Sequence, residues 1–507
     1  MSILRTSLAL TVLALLSRLF GLGRDLAITW AFGANAETDS FYIAASVANA
    51  AYVVIAASLT SATIPFLSKH ADATGQIDSR TFSNLFNLVF VGLAVMAGIG
   101  MANADTIAGF LASGGDQETI ALTADYMFIL LPTITLLGVA GMFSGLLNYN
   151  NVFLPVAFAP LVLNLSVVIG VMAFAGTLGI SAAVFATFVG AVLFLAIQLP
   201  TFYGVAHKHH WRLSLRDPAA RHFLGTALPV VAVALIAYAY AFVDISVGVK
   251  IGAGTVTAVN VASKLIQLPQ GIIAMGLTTA LYPTISRMLQ SGQTAEAAIL
   301  TTRLAILITL LAVAASALML AQADLIVAIV FGRGTFSQEA VVQTTRVLVV
   351  LILSLPAFTL NVTLLRVLYA SRDWITPLVA VMIAFVVKLG LAFGLHAWVG
   401  IDAIAISTVV ATYLNTILMM VSINRRIDRP FGTVFLASFM RIFVVGALTT
   451  GILFGLRREL SSWISVAGNT SQILTFVVVS GCGIILILGL GWVGLRKELG
   501  YLWSMRR

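Results

Sequence analysis

Long apolar stretches, separated by short polar connections, follow one another along the whole chain. A helix needs about 20 apolar residues to cross a bilayer, and about fourteen stretches are long enough to do so. None of them shows the period-two alternation of a strand, so the pattern predicts an all-α polytopic membrane protein. The predicted spans are centred near Leu19, Ile55, Val95, Leu131, Leu163, Leu193, Val233, Ala274, Ile308, Leu351, Met382, Val410, Val445 and Val479.

Two pairs of segments recur six predicted spans apart. Residues 60–69 and 278–287 carry Pro, Ser and a basic residue at matching places with an offset of 218, and residues 147–155 and 369–377 both end in Pro with an offset of 222. Because an even number of spans separates the copies, both copies have the same orientation in the membrane. The repeat predicts two parallel six-helix lobes and a C-terminal helix pair. The predicted bounds are 1–205 for the N-lobe, 206–427 for the C-lobe and 428–507 for the last two spans.

Composition supports the membrane class. Of the 507 residues, 60% are hydrophobic and 9% are charged, whereas a soluble protein has about 25% charged residues. The net charge of +9 collects mainly on the loops of one side when the N-terminus is placed inside. This positive-inside bias predicts that both termini are cytoplasmic. It also assigns the positive charge to membrane edges and argues against nucleic acid as a partner.

The sequence lacks the nucleotide-binding and catalytic motifs that we searched for. It has no Gly-x-x-x-x-Gly-Lys loop, no Gly-x-Ser-x-Gly elbow and no His-Glu-x-x-His helix, so we expect a transporter without intrinsic ATP hydrolysis, not an enzyme, and no cofactor. Residues 207–210 contain three histidines, but no Cys or carboxylate stands at ligand spacing. A solvated cytoplasmic loop is therefore favoured there over a metal site.

Several basic residues fall inside the predicted spans. A charge at the centre of a spanning helix costs about 2.5–3.5 kcal/mol, so these side chains should face the protein interior or a wet cavity. Basic residues outnumber the embedded acids, which favours an anionic substrate such as a phosphate or pyrophosphate and disfavours a cation or drug exporter. The embedded basic residues are Arg18, Arg24, Lys264, Arg346, Lys388 and Arg441, and the acids are Asp25, Asp39, Asp125 and Asp244.

The first span carries the densest group of these charges. Arg18 and Asp25 are seven residues apart and share one helix face. Gly21 and Gly23 lie between them and are candidate hinge residues that let Arg18 and Arg24 turn inward. The span is either a cradle that binds an anion, or it contributes a structural Arg24–Asp25 or Arg18–Asp39 ion pair.

Two further spans supply candidate site residues. Asp39, at the start of the second span, is either a gating or pairing residue or an acid that favours the helix dipole. Lys264, beside Ser263 in the first half of the eighth span, adds a basic group from the second lobe. We therefore predict pyrophosphate binding by Arg18, Arg24 and Lys264. Asp25, Asp39 and Ser263 are the candidates for gating or pairing.

Seven segments, in this order and spacing, resemble the MurJ/MviN family of lipid II flippases, whose superfamily also contains multidrug exporters and polysaccharide flippases. The likeness covers nearly the full length. The segments are residues 17–25 (Ser-Arg-x-x-Gly-x-x-Arg-Asp), 32–34 (Phe-Gly-Ala), 38–39 (Thr-Asp), 148–160, 268–286, 331–336 (Phe-Gly-Arg-Gly-x-Phe) and 369–377.

The resemblance implies fourteen helices, two lobes and a central cationic cavity that opens alternately to each side of a bacterial inner membrane. It implies that the undecaprenyl-linked disaccharide-pentapeptide binds by its pyrophosphate and that the last two spans hold the lipid tail. Membrane lipids and cell-wall synthesis proteins are the other implied partners. Arg18, Arg24 and Asp39 match essential residues of the family, and Lys264 stands where the family usually has an arginine.

Some family members hold a sodium ion among spans 7, 11 and 12. Lys388 lies near that position, and we hypothesise that its ammonium group replaces the ion, with Asp244 as a candidate partner.

Three other functions stay open. Residues 47–53 lack basic residues that the family often carries there, which leaves room for a flippase of another polyprenyl-pyrophosphate sugar, such as an O-antigen or exopolysaccharide precursor. A cation-coupled drug exporter is disfavoured by the sign of the embedded charge. A non-transporting scaffold for cell-wall assembly would tolerate the removal of charges from the first span.

Overall fold

The computed structural model describes residues 3–70, 79–200, 209–463 and 469–494. These residues form 19 helices and, within these ranges, no strand. Every predicted span centre lies in a helix or at the joint between two consecutive helices. The all-α polytopic prediction is therefore confirmed.

By packing, the chain divides into two compact units, and the first comprises residues 1–257 together with 334–336. Its last long helix, α10, packs against α3 within this unit, although the sequence pattern assigned that span to the second lobe. The helices are α1 (Ile3–Phe32), α2 (Ala36–Ala51), α3 (Ala57–His70), α4 (Ser79–Ala102), α5 (Ala104–Leu111), α6 (Gln117–Leu130), α7 (Thr133–Tyr149), α8 (Leu154–Leu178), α9 (Ser181–Ala196) and α10 (Pro218–Ile251).

The second unit comprises residues 258–333 and 337–507. Its first helix begins three residues earlier, inside the first unit. The helices are α11 (Thr255–Gln290), α12 (Thr294–Ala321), α13 (Ala323–Phe331), α14 (Gln338–Ile352), α15 (Leu355–Ala370), α16 (Ile375–Val399), α17 (Asp402–Arg426), α18 (Thr433–Trp463) and α19 (Asn469–Gly494).

Three predicted spans are interrupted helices. The second consists of α2, a π-helical turn over residues 52–56, and α3. The fourth, α6 with α7, is interrupted just before Thr133, where Pro132 has no N–H to donate. The tenth bends by 49° between α14 and α15, next to Pro356. Among the described residues, nine helical segments are long and apolar enough to cross a membrane, or ten with the bent pair. The other predicted spans are helical too, as α1, α9, α10 and α11.

The predicted internal repeat is present in the backbone. Helices α8 and α16 each have 25 residues. Each ends at a glycine with positive φ, Gly179 and Gly400, which are 221 positions apart. At the same offset, Asn151 and Arg372 both have a φ of 60° just before these helices. The short helices α5 and α13 each follow the third helical span of their half, and the sequence pattern predicted neither.

Polar contacts attach the C-terminal helix pair to the second unit. Arg457 of α18 donates to both carboxylate oxygens of Asp324 on α13, and Gln322 donates to Ser480 of α19 at 3.2 Å. Partial burial disfavours the Asp324 carboxylate, but the hydrogen bonds and charge of Arg457 outweigh that effect and hold its pKa below the usual value. The last two spans are thus held by specific contacts at one end of α13.

Glycines allow α7 to approach α3 and the π-helical turn closely. A Cβ atom at Gly141 would lie 2.5 Å from the Ala56 carbonyl oxygen, and one at Gly145 would lie 2.5 Å from the Thr63 Cβ. The Thr60 hydroxyl donates to the Gly141 carbonyl oxygen at 2.8 Å. Small residues and interhelical hydrogen bonds are the usual basis of helix association in membranes.

We expect Gly141→Ala to lower the melting temperature of the purified protein, because the added methyl group must displace the backbone at Ala56. Overpacking of this kind costs about 1–3 kcal/mol. The matched control is Gly98→Ala on α4, where a Cβ would meet nothing within 4 Å. Thermal unfolding in detergent should show the control at or slightly above wild type, because alanine is the better helix former. Equal melting temperatures for the two variants would contradict close packing at Gly141.

Candidate functional site

The basic residues of α1 lie on a continuous helix. Nε and Nη2 of Arg24 donate to Oδ1 of Asp25 at 3.1 and 2.9 Å. The Asp25 side chain is 1% exposed and that of Arg24 is 15% exposed. The Arg24–Asp25 pair, one of the alternatives that the sequence left open, is therefore present. The ion pair involves two of the five N–H donors of Arg24. The Arg24 guanidinium therefore lies against Asp25 with little access to solvent.

The other α1 candidates lie nearby in sequence. Arg18 is half-buried. Gly21 and Gly23 are both inside the uninterrupted helix, and a Cβ at Gly23 would meet nothing within 4 Å. Neither glycine marks a break in this structure, and their role as hinges stays a prediction. Asn164 of α8 donates to the Ser17 carbonyl oxygen at 3.4 Å, beside Arg18.

Asp39 caps a helix that lies more than 200 residues away in sequence. Its carboxylate is buried and accepts from the Gly254 N–H at 2.8 Å, from the Thr257 N–H at 2.7 Å and from the Thr257 hydroxyl at 2.6 Å. These donors belong to the first turn of α11, where backbone N–H groups have no partner within the helix. The acid therefore stabilises the start of α11, and it also lies in the first turn of α2, the helix whose dipole the sequence suggested.

Three glycines bring the turn between α1 and α2 close to two other segments of the first unit. A Cβ at Gly33 would lie 2.7 Å from the Thr335 carbonyl oxygen, one at Gly254 would lie 2.8 Å from that of Ala34, and one at Gly334 would lie 2.2 Å from that of Trp30. All three glycines have positive φ, which other residues rarely adopt. We call residues 30–35, 252–257 and 334–336 the glycine junction.

A backbone hydrogen bond completes the glycine junction. The Thr335 N–H donates to the Trp30 carbonyl oxygen at 3.0 Å, and the Thr335 hydroxyl donates to the same oxygen at 3.1 Å. Trp30 lies in the last turn of α1, so this carbonyl oxygen has no partner within the helix. The Gly-Arg-Gly segment before Thr335 is the sequence signal for this contact, although it does not reveal the partner.

The remaining candidates belong to different helices and are described within their own units. Lys264 and Ser263 are half-buried on α11 in the second unit. Lys388 of α16 is fully buried, and its Nζ donates to the Thr408 hydroxyl of α17 at 2.8 Å. Asp244 is half-buried on α10 of the first unit. In the part of the chain that the structure describes, no three His, Cys, Asp or Glu side chains are placed to hold a metal ion.

Buried charged residues on apolar helices, a repeated order of helices and a separate C-terminal pair define a multi-pass membrane protein of the transporter type. The sequence profile of the family "Lipid II flippase MurJ" matches residues 28–468. The chain belongs to this family.

Known relatives cover nearly the whole chain. A lipid II flippase MurJ from Burkholderia cenocepacia is 26% identical over 522 residues, which is 100% of this chain and 99% of the relative. A probable lipid II flippase MurJ from Rhizobium meliloti is 25% identical over 480 residues, which is 92% of this chain and 89% of the relative.

Two solved structures share the fold. A lipid II flippase MurJ in an inward closed conformation has a TM-score of 0.82 at 18% identity, over 97% of this chain and 100% of the other. An inward-facing MATE family multidrug transporter has a TM-score of 0.66 at 16% identity, over 82% of this chain and 96% of the other. The fold is therefore that of the superfamily that the sequence motifs indicated.

We expect Gly334→Ala to open the glycine junction, because its Cβ cannot fit 2.2 Å from the Trp30 carbonyl oxygen. The Thr335 amide should then exchange with deuterium about tenfold faster, which corresponds to loss of one hydrogen bond of roughly 1.4 kcal/mol. Hydrogen exchange of the peptide that contains Thr335, followed by mass spectrometry, measures this change. The control is Gly292→Ala, where φ is also positive at 77° but a Cβ meets nothing within 4 Å. If exchange at Thr335 is as slow in Gly334→Ala as in the control, the added methyl group does not open the junction and the prediction is wrong.

Proposed function

We propose that this protein is a lipid II flippase. It moves the undecaprenyl-pyrophosphate-linked sugar-peptide precursor of peptidoglycan from the inner to the outer leaflet by alternating access. Membership of the MurJ family supports this function, and the names of the relatives agree with it. The observation that carries the proposed chemistry is the guanidinium of Arg24, held against a buried carboxylate within α1.

Arg24 is suited to bind a pyrophosphate. Its planar fork matches the geometry of phosphate oxygens, and hydrogen bonds between charged partners are stronger than neutral ones. The Asp25 carboxylate already compensates the guanidinium inside the bundle, so the dianionic pyrophosphate can compete for donors that are in place before the substrate arrives. An exchange of partners between Asp25 and the pyrophosphate gives Asp25 its proposed pairing role.

The proposal assigns pyrophosphate binding to Arg18, Arg24 and Lys264. Lys264 supplies a compact charge without the bidentate geometry of arginine, and Ser263 beside it is a candidate pairing residue. Asp39 is a candidate gating residue, because its three hydrogen bonds attach α2 to the start of α11. Gly21 and Gly23 are proposed as the flexible points of α1.

The same proposal covers the organisation of the chain in the cell. We assign residues 1–205 and 206–427 to two lobes and residues 428–507 to a helix pair that receives the lipid tail. The protein resides in the bacterial inner membrane with both termini in the cytoplasm, as the positive-inside bias favours. Membrane lipids and cell-wall synthesis proteins are its proposed partners. No nucleic acid, cofactor or chemical catalysis is part of the proposal.

Rescue of a bacterium depleted of its own lipid II flippase tests the function. We expect wild type to restore growth and Arg24→Ala to fail, because the variant lacks the guanidinium that binds the pyrophosphate and leaves Asp25 buried without its partner. Arg425→Gln is the control, since Arg425 is exposed at the end of α17 and its loss removes the same charge. Colony counts and immunoblots of the membrane fraction provide the readout.

The outcomes separate the candidate functions. Rescue by Arg24→Ala at normal membrane levels would refute the pyrophosphate site. Failure of a well-inserted wild type would favour another polyprenyl-pyrophosphate sugar as substrate, a choice that the absence of basic residues from 47–53 supports. The mass of the lipid that copurifies with the protein then identifies that substrate.

We also propose that the Lys388 ammonium replaces a bound cation between α16 and α17. Its hydrogen bond to Thr408 within the bundle supports this role, and Asp244 is the candidate partner. Substrate binding by the wild-type protein should then be the same in sodium and in choline chloride at equal ionic strength. The variant Lys388→Asn removes the fixed charge and should make binding depend on sodium. Native mass spectrometry with lipid II measures both, and sodium dependence of the wild type would contradict the proposal.

A further inference from the structure

The segment before α10 lies against the first turns of α4. Residues 209–214 form no regular secondary structure, and a turn at 215–216 leads into α10. We propose that residues 209–216, which we call the strap, bind the headgroups of anionic phospholipids at the membrane surface. None of the proposed substrate-binding residues is part of the strap.

Buried amide side chains of α4 hold the backbone of the strap. Nδ2 of Asn87 donates to the carbonyl oxygens of His210 and Arg212 at 3.1 and 2.9 Å. Nδ2 of Asn84 donates to the Ser214 carbonyl oxygen at 3.1 Å, and its Oδ1 accepts from the Ser214 N–H at 2.7 Å. The carbonyl groups of every second residue therefore point at α4, as along the edge of a strand. These hydrogen bonds hold the strap backbone along α4.

Apolar side chains of the strap are exposed between its basic residues. Trp211, Leu213 and Leu215 are 81%, 55% and 63% exposed. The hydrogen bonds to α4 hold the backbone that carries this row. Such a row is costly in water, and its contiguity distinguishes it from scattered surface leucines.

The row continues an apolar surface that faces lipid. Helix α4 is a membrane span with few buried residues, and Phe90 on it is exposed. Phe90 stacks on Phe86, the Phe86 ring meets the edge of His209 at 5.7 Å, and His209 meets Trp211 at the same distance. A chain of rings thus leads from the lipid-facing side of α4 to the strap. This continuity favours the bilayer over a protein partner as the occupant.

We place the strap at the level of the membrane boundary. The 24 residues of α4 span about 36 Å at 1.5 Å per residue, which exceeds a hydrocarbon core of about 30 Å by about one helical turn. The proposal places this turn at the N-terminal end of α4, in the headgroup region, just before Asn84 and Asn87. Tryptophan is enriched at this level of membranes because its ring is apolar and its N–H is polar.

Basic side chains surround the row. Arg212 and Arg216 within the strap are exposed, as are Arg221 at the start of α10 and Arg80 at the start of α4. The nearby acid, Asp217, accepts hydrogen bonds from the Ala219 N–H and from Asn84. An apolar row between arginines, on the side predicted to be cytoplasmic, complements anionic headgroups.

Tryptophan quenching by brominated lipids tests the strap in the full-length protein. The protein is placed in nanodiscs that contain equal amounts of phosphatidylglycerol and phosphatidylcholine, with bromine on one lipid or the other. The Trp211 signal is the difference between wild type and Trp211→Phe. We expect brominated phosphatidylglycerol to quench this signal more strongly, because each arginine should enrich anionic lipid locally by about fivefold.

Matched variants separate the effect of the strap arginines from the effect of net charge. Arg212→Gln with Arg216→Gln should remove the preference for phosphatidylglycerol. Arg425→Gln with Arg429→Gln removes the same charge from exposed sites at the end of α17 and just after it, and should retain the preference. Trp398 is 87% exposed at the end of α16. Its signal, taken as the difference between wild type and Trp398→Phe, should show no such preference. Each variant is first checked for a single peak in size exclusion.

Three results would overturn the proposal. If neither lipid quenches Trp211, the row faces water and is available to a protein partner. If both lipids quench it equally, the strap touches the membrane without recognising charge. If the Arg425 and Arg429 changes abolish the preference as well, net charge and not the strap attracts the lipid.

Discussion

A polar group inside a bilayer must find its partner within the protein, because hydrocarbon offers none. Two buried charged side chains among the described residues show how this chain meets that constraint. The Asp39 carboxylate accepts three hydrogen bonds from the first turn of α11, and the Lys388 ammonium donates to Thr408. Each of these contacts joins two helices. The groups that are most costly to bury therefore also determine which helices stay together.

Close approach of backbones has a second role in the same architecture. Between α3 and α7, Gly141 and Gly145 occupy positions where a Cβ would fall within 2.5 Å of a neighbour. In the glycine junction, the glycines combine close approach with positive φ. Lipid provides little hydrophobic drive for helices to associate, so such packing and the hydrogen bonds that it permits become decisive.

The helical spans were predictable and their contacts were not. An apolar run of sufficient length determines a spanning helix almost by itself, so the span centres and the repeat follow from the sequence. The short helices α5 and α13 were not predicted, because eight or nine residues are too few to indicate a membrane span. Asp39 was recognised as a candidate, but its partner Thr257 lies 218 positions away, and neither periodicity nor charge identifies such a pair. Arg24 and Asp25 are adjacent in sequence, so their pairing was within reach.

The two halves hold one corresponding loop in the same way, but the exposed surfaces of the two loops differ. In the first, Asn84 and Asn87 near the start of α4 hold the loop that follows α9. In the second, Thr294 and Thr302 near the start of α12 bind Asp428 and the Pro430 carbonyl oxygen in the loop that follows α17. Polar side chains near the start of the corresponding helix thus hold the loop in both halves. The first loop alone carries the Trp211, Leu213 and Leu215 row within the described residues, so it has gained a surface that holding the loop does not require.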